Sequence, residues 1–191
     1  MITNVYSGKN LADPLSSQSN GTHMVQYQST GGAEQQWTLL QAANAPTFTY
    51  YVQNAYSGYV LEDPESSTAN GEVMEQNSLL PGVVSELWLF VPLADGNDLI
   101  VNEASGLVLD DPGYSYSNGT PIIQWQLNGG LNQQWQINQL GNGNYHIVNA
   151  YSDMAIGDPG FSNDPGTSII QWSVNSGQNE QWQLYLDPNL P

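Results

Sequence analysis

The chain repeats one phrase four times. Aligned on a shared asparagine it reads NVYSGKNLADP from Asn4, NAYSGYVLEDP from Asn54, NEASGLVLDDP from Asn102 and NAYSDMAIGDP from Asn149. Each copy then runs through turn-rich sequence to a tryptophan: Trp37, Trp88, Trp135 or Trp182. The step from Asn to Asp (Asp13, Asp63, Asp111, Asp158) is nine residues in every copy, and the step from Asp to Trp is 24, 25, 24 and 24. A period of this size marks supersecondary units that cannot bury an apolar face alone and must stack or close on one another. The repeats, 1–46, 47–95, 96–142 and 143–191, fill the 191 residues, so the chain reads as one repeat domain over 1–191.

Charge narrows the partners. One lysine (Lys9), no arginine and 18 acidic residues give a net charge of -17. Phosphate backbones and anionic membrane surfaces need clustered Lys and Arg, so neither nucleic acid nor a membrane is an expected partner. Charged residues are only 10% of the chain while Trp and Tyr number six and eleven, a composition that folds rather than staying disordered. Without Cys there is no disulfide, thiolate metal site or cysteine nucleophile. The opening MITNVYSGKNLADP lacks a basic stretch followed by an apolar core. No apolar run reaches membrane-spanning length. These features favour a cytoplasmic or non-classically secreted protein.

Within a repeat the pattern is that of short strands. In the fourth, Tyr145–Asn149, Met154–Ile156, Ser168–Trp172 and Gln181–Tyr185 are strand-like, separated by Gly, Asn, Pro and Ser. No stretch carries a helical period, so the chain is all-β with about four strands per repeat. The expected core recurs with the repeat: Ile2, Val52, Ile100 and Ile147 two before the shared Asn, Leu11, Leu61, Leu109 and Ile156 two before the shared Asp, and the four terminal tryptophans. Asn20-Gly-Thr and Asn118-Gly-Thr are glycosylation sequons but read first as turns. Asp95-Gly-Asn-Asp98 likewise reads as a hairpin turn, the two histidines fall at non-equivalent positions, and no metal or cofactor site is expected.

Gln35-Gln-Trp37 and Gln133-Gln-Trp135 are QxW motifs, and the stretch from Ser105 to Trp135, SGLVLDDPGYSYSNGTPIIQWQLNGGLNQQW, resembles the ricin-type lectin repeat. The likeness extends over essentially the full chain. It implies a β-trefoil with one potential shallow sugar pocket per repeat, for galactose-type sugars or other glycans. Repeats two and four depart from the motif with Glu86 and Glu180 in place of the first Gln, and the family's common Cys positions hold Asn10, Tyr59, Val108 and Ala155. A trefoil uses three repeats and this chain has four. Either four close into a wider, four-lobed barrel with pseudo-fourfold symmetry, or three form a trefoil beside an extra or swapped repeat. Matched repeat lengths without a linker favour the four-lobed ring, and with it a monomer.

The resemblance places a carboxylate after the second strand, an aromatic on the third and an Asn before the QxW. Repeat three has the fullest set: Asp110 with Asp111 beside it, Trp125, Asn132 and Gln133. Repeat four has Asp158, Trp172 and Asn179, with Gly157 at the carboxylate position. Repeat one has Asp13 and Tyr27, with Ala12 and Glu34 at the other two places. Repeat two has Asn77 instead of an aromatic and Ser85 instead of the Asn, and reads as lost. The Asp-Pro recurs in every repeat, which suits a turn-capping role as well as a ligand. Successive strand residues face opposite ways, so Asp110 and Asp111 serve one pocket only across a bulge and make a poor glycosidase pair. With no triad, HExxH or P-loop, the chain reads as a non-catalytic lectin. The alternative is an interaction or inhibitor module acting through the Thr38–Tyr50 loop.

Overall fold

The computed structural model describes residues 7, 9–13, 24–35 and 49–186. They belong to two compact units, Met1–Ala45 and Pro46–Pro191. The division falls where the first repeat ends. Asn4, Ile2, Trp37, the first sequon and nearly all of the Thr38–Tyr50 loop lie outside the described residues.

In the second unit each repeat supplies a long first strand, a short hairpin and a long last strand. Repeat two gives β3 (Thr49–Asn54), β4 (Val60–Glu62), β5 (Glu75–Asn77) and β6 (Leu87–Pro92). Repeat three gives β7 (Asp98–Asn102), β8 (Val108–Asp110), β9 (Ile123–Trp125) and β10 (Trp135–Gln139). Repeat four gives β11 (Tyr145–Asn149), β12 (Met154–Gly157), β13 (Thr167–Ser168), β14 (Ile170–Ser173) and β15 (Trp182–Leu186). Among the described residues only short 3₁₀ turns interrupt the strands, and no helix is long and apolar enough to cross a membrane.

The long strands pair in a circuit that returns to its start: β3 with β6, β6 with β7, β7 with β10, β10 with β11, β11 with β15, and β15 with β3. The register repeats too. Trp88 lies opposite Asn102, Trp135 opposite Asn149, and Trp182 opposite Asn54. In a four-lobed ring Trp182 would meet the first repeat's Asn4. It meets the second repeat's asparagine instead, which corrects the four-lobed expectation to the three-lobed alternative: repeats two, three and four form a β-trefoil-like unit.

Its core is the recurrent set read from the sequence. Val52, Ile100, Ile147, Leu61, Leu109, Ile156 and the tryptophans 88, 135 and 182 are fully buried in one cluster. Each indole N–H donates to the carbonyl of the apolar residue that precedes the repeat's acidic stretch, Trp88 to Leu61 at 2.9 Å, Trp135 to Leu109 at 3.1 Å and Trp182 to Ile156 at 3.0 Å. The same cluster holds a trio that the repeat pattern did not single out, Met74, Ile122 and Ile169. Their backbones bond in a closed ring, Met74 N–H to Ile122 O, Ile122 N–H to Ile169 O and Ile169 N–H to Met74 O, at 2.8–2.9 Å. This ring marks the pseudo-threefold axis. It also explains why the expected strand Ser168–Trp172 is broken at Ile169, whose amide leaves the strand ladder for the ring.

Three polar residues per repeat join one lobe to the next. The shared asparagines Asn54, Asn102 and Asn149 accept from the amides two and three residues on, an Asx turn, at 3.0–3.2 Å. Their Nδ2 atoms donate to the preceding lobe's carbonyls at Asn179, Ser85 and Asn132, at 2.8–2.9 Å. The glutamines Gln76, Gln124 and Gln171 are wholly buried. They accept from Ser57, Ser105 and Ser152 of their own lobes and donate into the loop that follows the neighbouring lobe's Asp-Pro. The Asp-Pro carboxylates sit in these junctions. Gln124 Nε2 donates to Asp63 at 3.0 Å and Gln76 Nε2 reaches Asp158 at 3.5 Å, whereas neither Asp63 nor Asp158 caps the 3₁₀ turn it precedes. An interlobe contact thus stands beside the turn-holding role expected from sequence, for which Ser67 and Ser162 N–H, four residues on, act on Asp63 and Asp158.

The first unit keeps the lobe's local fold. β1 (Asn10–Ala12) and β2 (Val25–Tyr27) pair Asn10, Leu11 and Ala12 with Tyr27, Gln26 and Val25, the register by which β8 and β9 pair Val108, Leu109 and Asp110 with Trp125, Gln124 and Ile123. Asp13 N–H donates to Glu34 O at 3.0 Å, as Asp111 N–H does to Asn132 O.

Two outcomes follow from this packing. Trp135→Ala empties a fully buried site and should lower unfolding free energy by about 3–5 kcal/mol in urea titrations. Burial raises Asp63 and Asp111 to about 7 and Asp158 to about 6. For Asp63, Glu72 and Glu62 add to the rise, and all three are opposed by a backbone N–H. A carboxyl that holds its proton more tightly folded than unfolded favours the fold fully below about pH 4, and that contribution drains away as pH rises through 6 to 7. The second unit should therefore melt higher at pH 5 than at pH 8, and Asp63→Asn should flatten the difference.

Candidate functional site

The third lobe brings four of its five expected residues into one cluster. Asp110 ends β8, almost wholly buried, and its two carboxylate oxygens accept from Asn132 Nδ2 at 3.0 Å and Gln133 Nε2 at 2.7 Å. Burial raises its pKa, while the bonds from Gln133 and Asn132 oppose the rise. Asn132 also donates to Asp111 O at 3.1 Å, and its Oδ1 is buried without a hydrogen-bond partner. An acceptor in that state is costly unless something donates to it. Trp125 ends β9 and is 38% exposed, with the outer edge of its ring 3.5 Å from where a Cβ on Gly71 would stand. Asp111, by contrast, is fully buried just beyond the end of β8, and the charge of Asp110 beside it adds to the rise in its pKa.

Gln133 shapes the loop beneath. Its Oε1 accepts from Asn128 N–H at 2.8 Å and its Nε2 also reaches Gln126 O at 3.0 Å. The same acceptor bond recurs in every lobe: Gln35 to Thr30 N–H, Glu86 to Leu80 N–H and Glu180 to Asn175 N–H, each at 2.9 Å. The role needs an acceptor, which is why Glu replaces Gln in repeats two and four. Burial raises the pKa of both glutamates, Glu86 to about 6.

The fourth lobe carries a hollow of about 260 Å³ between Phe161 and Trp172, floored by Gly157, Pro159, Asn179 and Glu180. Trp172 is 43% exposed, and Asn179, like Asn132, has a buried Oδ1 without a partner. Asp158 borders the hollow but is buried, with one oxygen toward Gln76 of the second lobe. Gly157 is required, since a Cβ there would stand 2.9 Å from both Asn179 O and Glu180 Cγ.

One pair of residues escaped the sequence reading. Tyr114 and Phe161 are exposed aromatics held at φ +56° and +58°, each just after a glycine of positive φ. Each is braced edge-to-face by a tyrosine of the next lobe, Tyr114 by Tyr151 at 4.8 Å and Phe161 by Tyr56 at 5.0 Å. Phe161 faces Trp172 across the fourth lobe's hollow, and Tyr114 Oη lies with Asn132 Oδ1 against Gly130. The signal was the run Asp-Pro-Gly-aromatic, present at 111–114 and 158–161 but replaced by Asp63-Pro-Glu-Ser66 in the second repeat. The second lobe also has Asn77 for a platform, with Glu62, Glu65, Glu72 and Glu75 around it. These acids form no metal-holding group among the described residues.

In the first lobe Tyr27 is 60% exposed, Ala12 is buried, and Glu34 is bonded by Thr30 Oγ1 at 2.7 Å. Glu34 thus makes a local contact in place of the Asn–carboxylate pair.

A three-lobed, all-β unit in which two lobes each group an exposed tryptophan, a buried asparagine oxygen and a carboxylate has the form of a sugar-binding trefoil. The family model for ricin-type beta-trefoil lectin domain-like sequences matches residues 1–77, 42–125, 84–172 and 131–189, and the chain belongs to that family. Among solved structures it is similar to a designed three-fold symmetric protein, ThreeFoil, with 35% identity over 71% of this chain and 96% of that one, at a TM-score of 0.69. It is also similar to an exo-β-1,3-galactanase from Clostridium thermocellum, with 34% identity and a TM-score of 0.70 over 73% of this chain but only 30% of the enzyme. The fold is shared with the C-half of an earthworm R-type lectin in complex with GalNAc, at 18% identity and a TM-score of 0.59 over 74% of this chain and 99% of that one. No curated protein sequence matches it.

Gly130 offers a direct probe of the third-lobe cluster. A Cβ there would collide with Tyr114 Oη and Asn132 Oδ1, whereas the second lobe has Val83 at this place beside the smaller Ser85. Gly130→Ala should displace both groups, so that the NMR signals of the Asn132 side-chain amide and the Tyr114 ring shift while those of Asn179 and Phe161 in the fourth lobe stay in place.

Proposed function

We propose that this protein is a non-catalytic carbohydrate-binding lectin with two working sites, on the third and fourth lobes. The observation that carries the reading is the recurrence, in these two lobes among the described residues, of an exposed tryptophan, an exposed positive-φ aromatic and a buried asparagine oxygen that lacks a donor. An indole face suits the C–H face of a pyranose, and the unsatisfied oxygen suits one of its hydroxyls. In the third lobe Asp110, Trp125, Asn132 and Tyr114 would contact the sugar, with Gln133 and Asp111 holding the cluster from below. In the fourth lobe Trp172, Phe161 and Asn179 would do so, with Asp158 at the border.

The first lobe, with Tyr27 and Asp13 but no carboxylate at residue 12, is a weaker candidate, and the second has no platform. Galactose-type ligands are the first to test, because the similar structures include a galactanase and a lectin with bound GalNAc. Two separate weak sites would act through multivalency on branched or clustered glycans. The galactanase resembles this chain over less than a third of its own length, which is compatible with a binding role here.

Isothermal titration with galactose, GalNAc and lactose should give two sites per chain. Trp125→Ala and Trp172→Ala should each remove one, and the double variant both. Binding unchanged in the double variant, or no glycan bound on an array by the parent, would overturn the reading.

A further inference from the structure

Among its described residues the first lobe keeps several of its siblings' internal bonds, yet differs at one face. Met24 occupies the place of Met74, Ile122 and Ile169, the trio whose backbones close the ring on the pseudo-threefold axis. Those three are 0% exposed, while Met24 is 42% exposed and Val25 beside it 39%. Gln26 has the place of Gln76, Gln124 and Gln171. It keeps the intralobe bond from its serine, Ser7 Oγ to Gln26 Oε1 at 3.3 Å, but is exposed where the siblings are wholly buried.

We propose that this face joins the first lobes of three copies of the chain, which close among themselves the ring that the other three lobes close within one chain. The second unit shows what covers such a face: another lobe of the same sequence pattern. Each lobe there presents both halves of the contact. It donates its ring amide to one neighbour and its ring carbonyl to the other, and it pairs a junction glutamine with the adjoining lobe's Asp-Pro loop. Such a contact is heterologous, one lobe's donor half meeting the next lobe's acceptor half, and here its rotation closes after three units. The first lobe has the parts, with Met24 for the ring and Gln26 and Asp13 for the junction.

Charge permits the association. Residues 1–45 hold two of the 18 acids together with the only lysine, so they carry -1, against -16 for the rest of the chain. Like lobes can meet at this end with little repulsion, whereas elsewhere they repel. Three chains joined in this way would also display three sets of the other lobes, independent of what those lobes bind.

Sedimentation equilibrium of the full chain should give a mass three times the 20.8 kDa of one chain, dissociating on dilution. Met24→Asp, at an exposed position, should give a monomer whose second unit unfolds as in the parent. Met24→Cys places one thiol per chain in a protein without cysteine. Adjacent ring positions are close enough for a disulfide, so mild oxidation should yield a covalent pair within the trimer. A monomeric parent at every concentration, a dimer, a trimer that survives Met24→Asp, or no covalent pair from Met24→Cys would each overturn the proposal.

Discussion

The bond from the shared asparagine to the preceding lobe's backbone is the contact on which the second unit depends. Asn54, Asn102 and Asn149 each fold their own turn with Oδ1 and secure the lobe before them with Nδ2. The carbonyl that receives the bond belongs to the residue that stands before the QxW glutamine or its glutamate replacement. At Asn132 and Asn179 that same residue supplies the unpartnered side-chain oxygen of the hollow. Scaffold and site thus meet in one residue, through its backbone on one side and its amide on the other. No lobe is complete until its neighbour is in place, which is the physical meaning of a repeat that cannot bury its own face.

Much of the fold was legible from recurrence. In repeats two to four the strands, the apolar positions before the shared Asn and Asp, and the terminal tryptophans occupy the places that their spacing gives them, whereas Leu11 of the first repeat is only half-buried. Closure was less legible. Equal repeat lengths say that lobes are equivalent, but they do not count how many fit round one axis. That number is set by strand pairing, in which Trp182 finds Asn54. The ring residues Met74, Ile122 and Ile169 were obscured for a related reason: their backbone partners lie in other lobes, so no local periodicity marks them.

At the site, the exposed tryptophans and the Asp110–Asn132 pair followed the sequence reading because each is an aromatic or polar departure from a scaffold position. The adjacent aspartates could not be told apart by residue type. Their contacts separate them: Asp110 accepts from Asn132 and Gln133, whereas Asp111 is buried without either bond. Burial lifts the pKa of Asp63, Asp111 and Asp158 toward neutrality, which makes the interlobe contacts sensitive to mild changes of pH. Tyr114 and Phe161 were missed because a positive-φ aromatic after glycine carries no strand or core signal.

The turn Asn70–Gly71 belongs to the lobe with no platform of its own, yet Gly71 lies against the ring of Trp125, and Asn70 Oδ1 accepts from Gln126 N–H at 2.8 Å. Asn118 and Gly119 stand in the same relation to Trp172 and Ser173, which engages the sequon asparagine as a structural turn. A hollow is therefore a joint product of two consecutive lobes. Each tryptophan platform thus needs a pair of repeats to set it, and the second repeat, with Asn77 in place of a platform of its own, still supplies Asn70 and Gly71 to its neighbour.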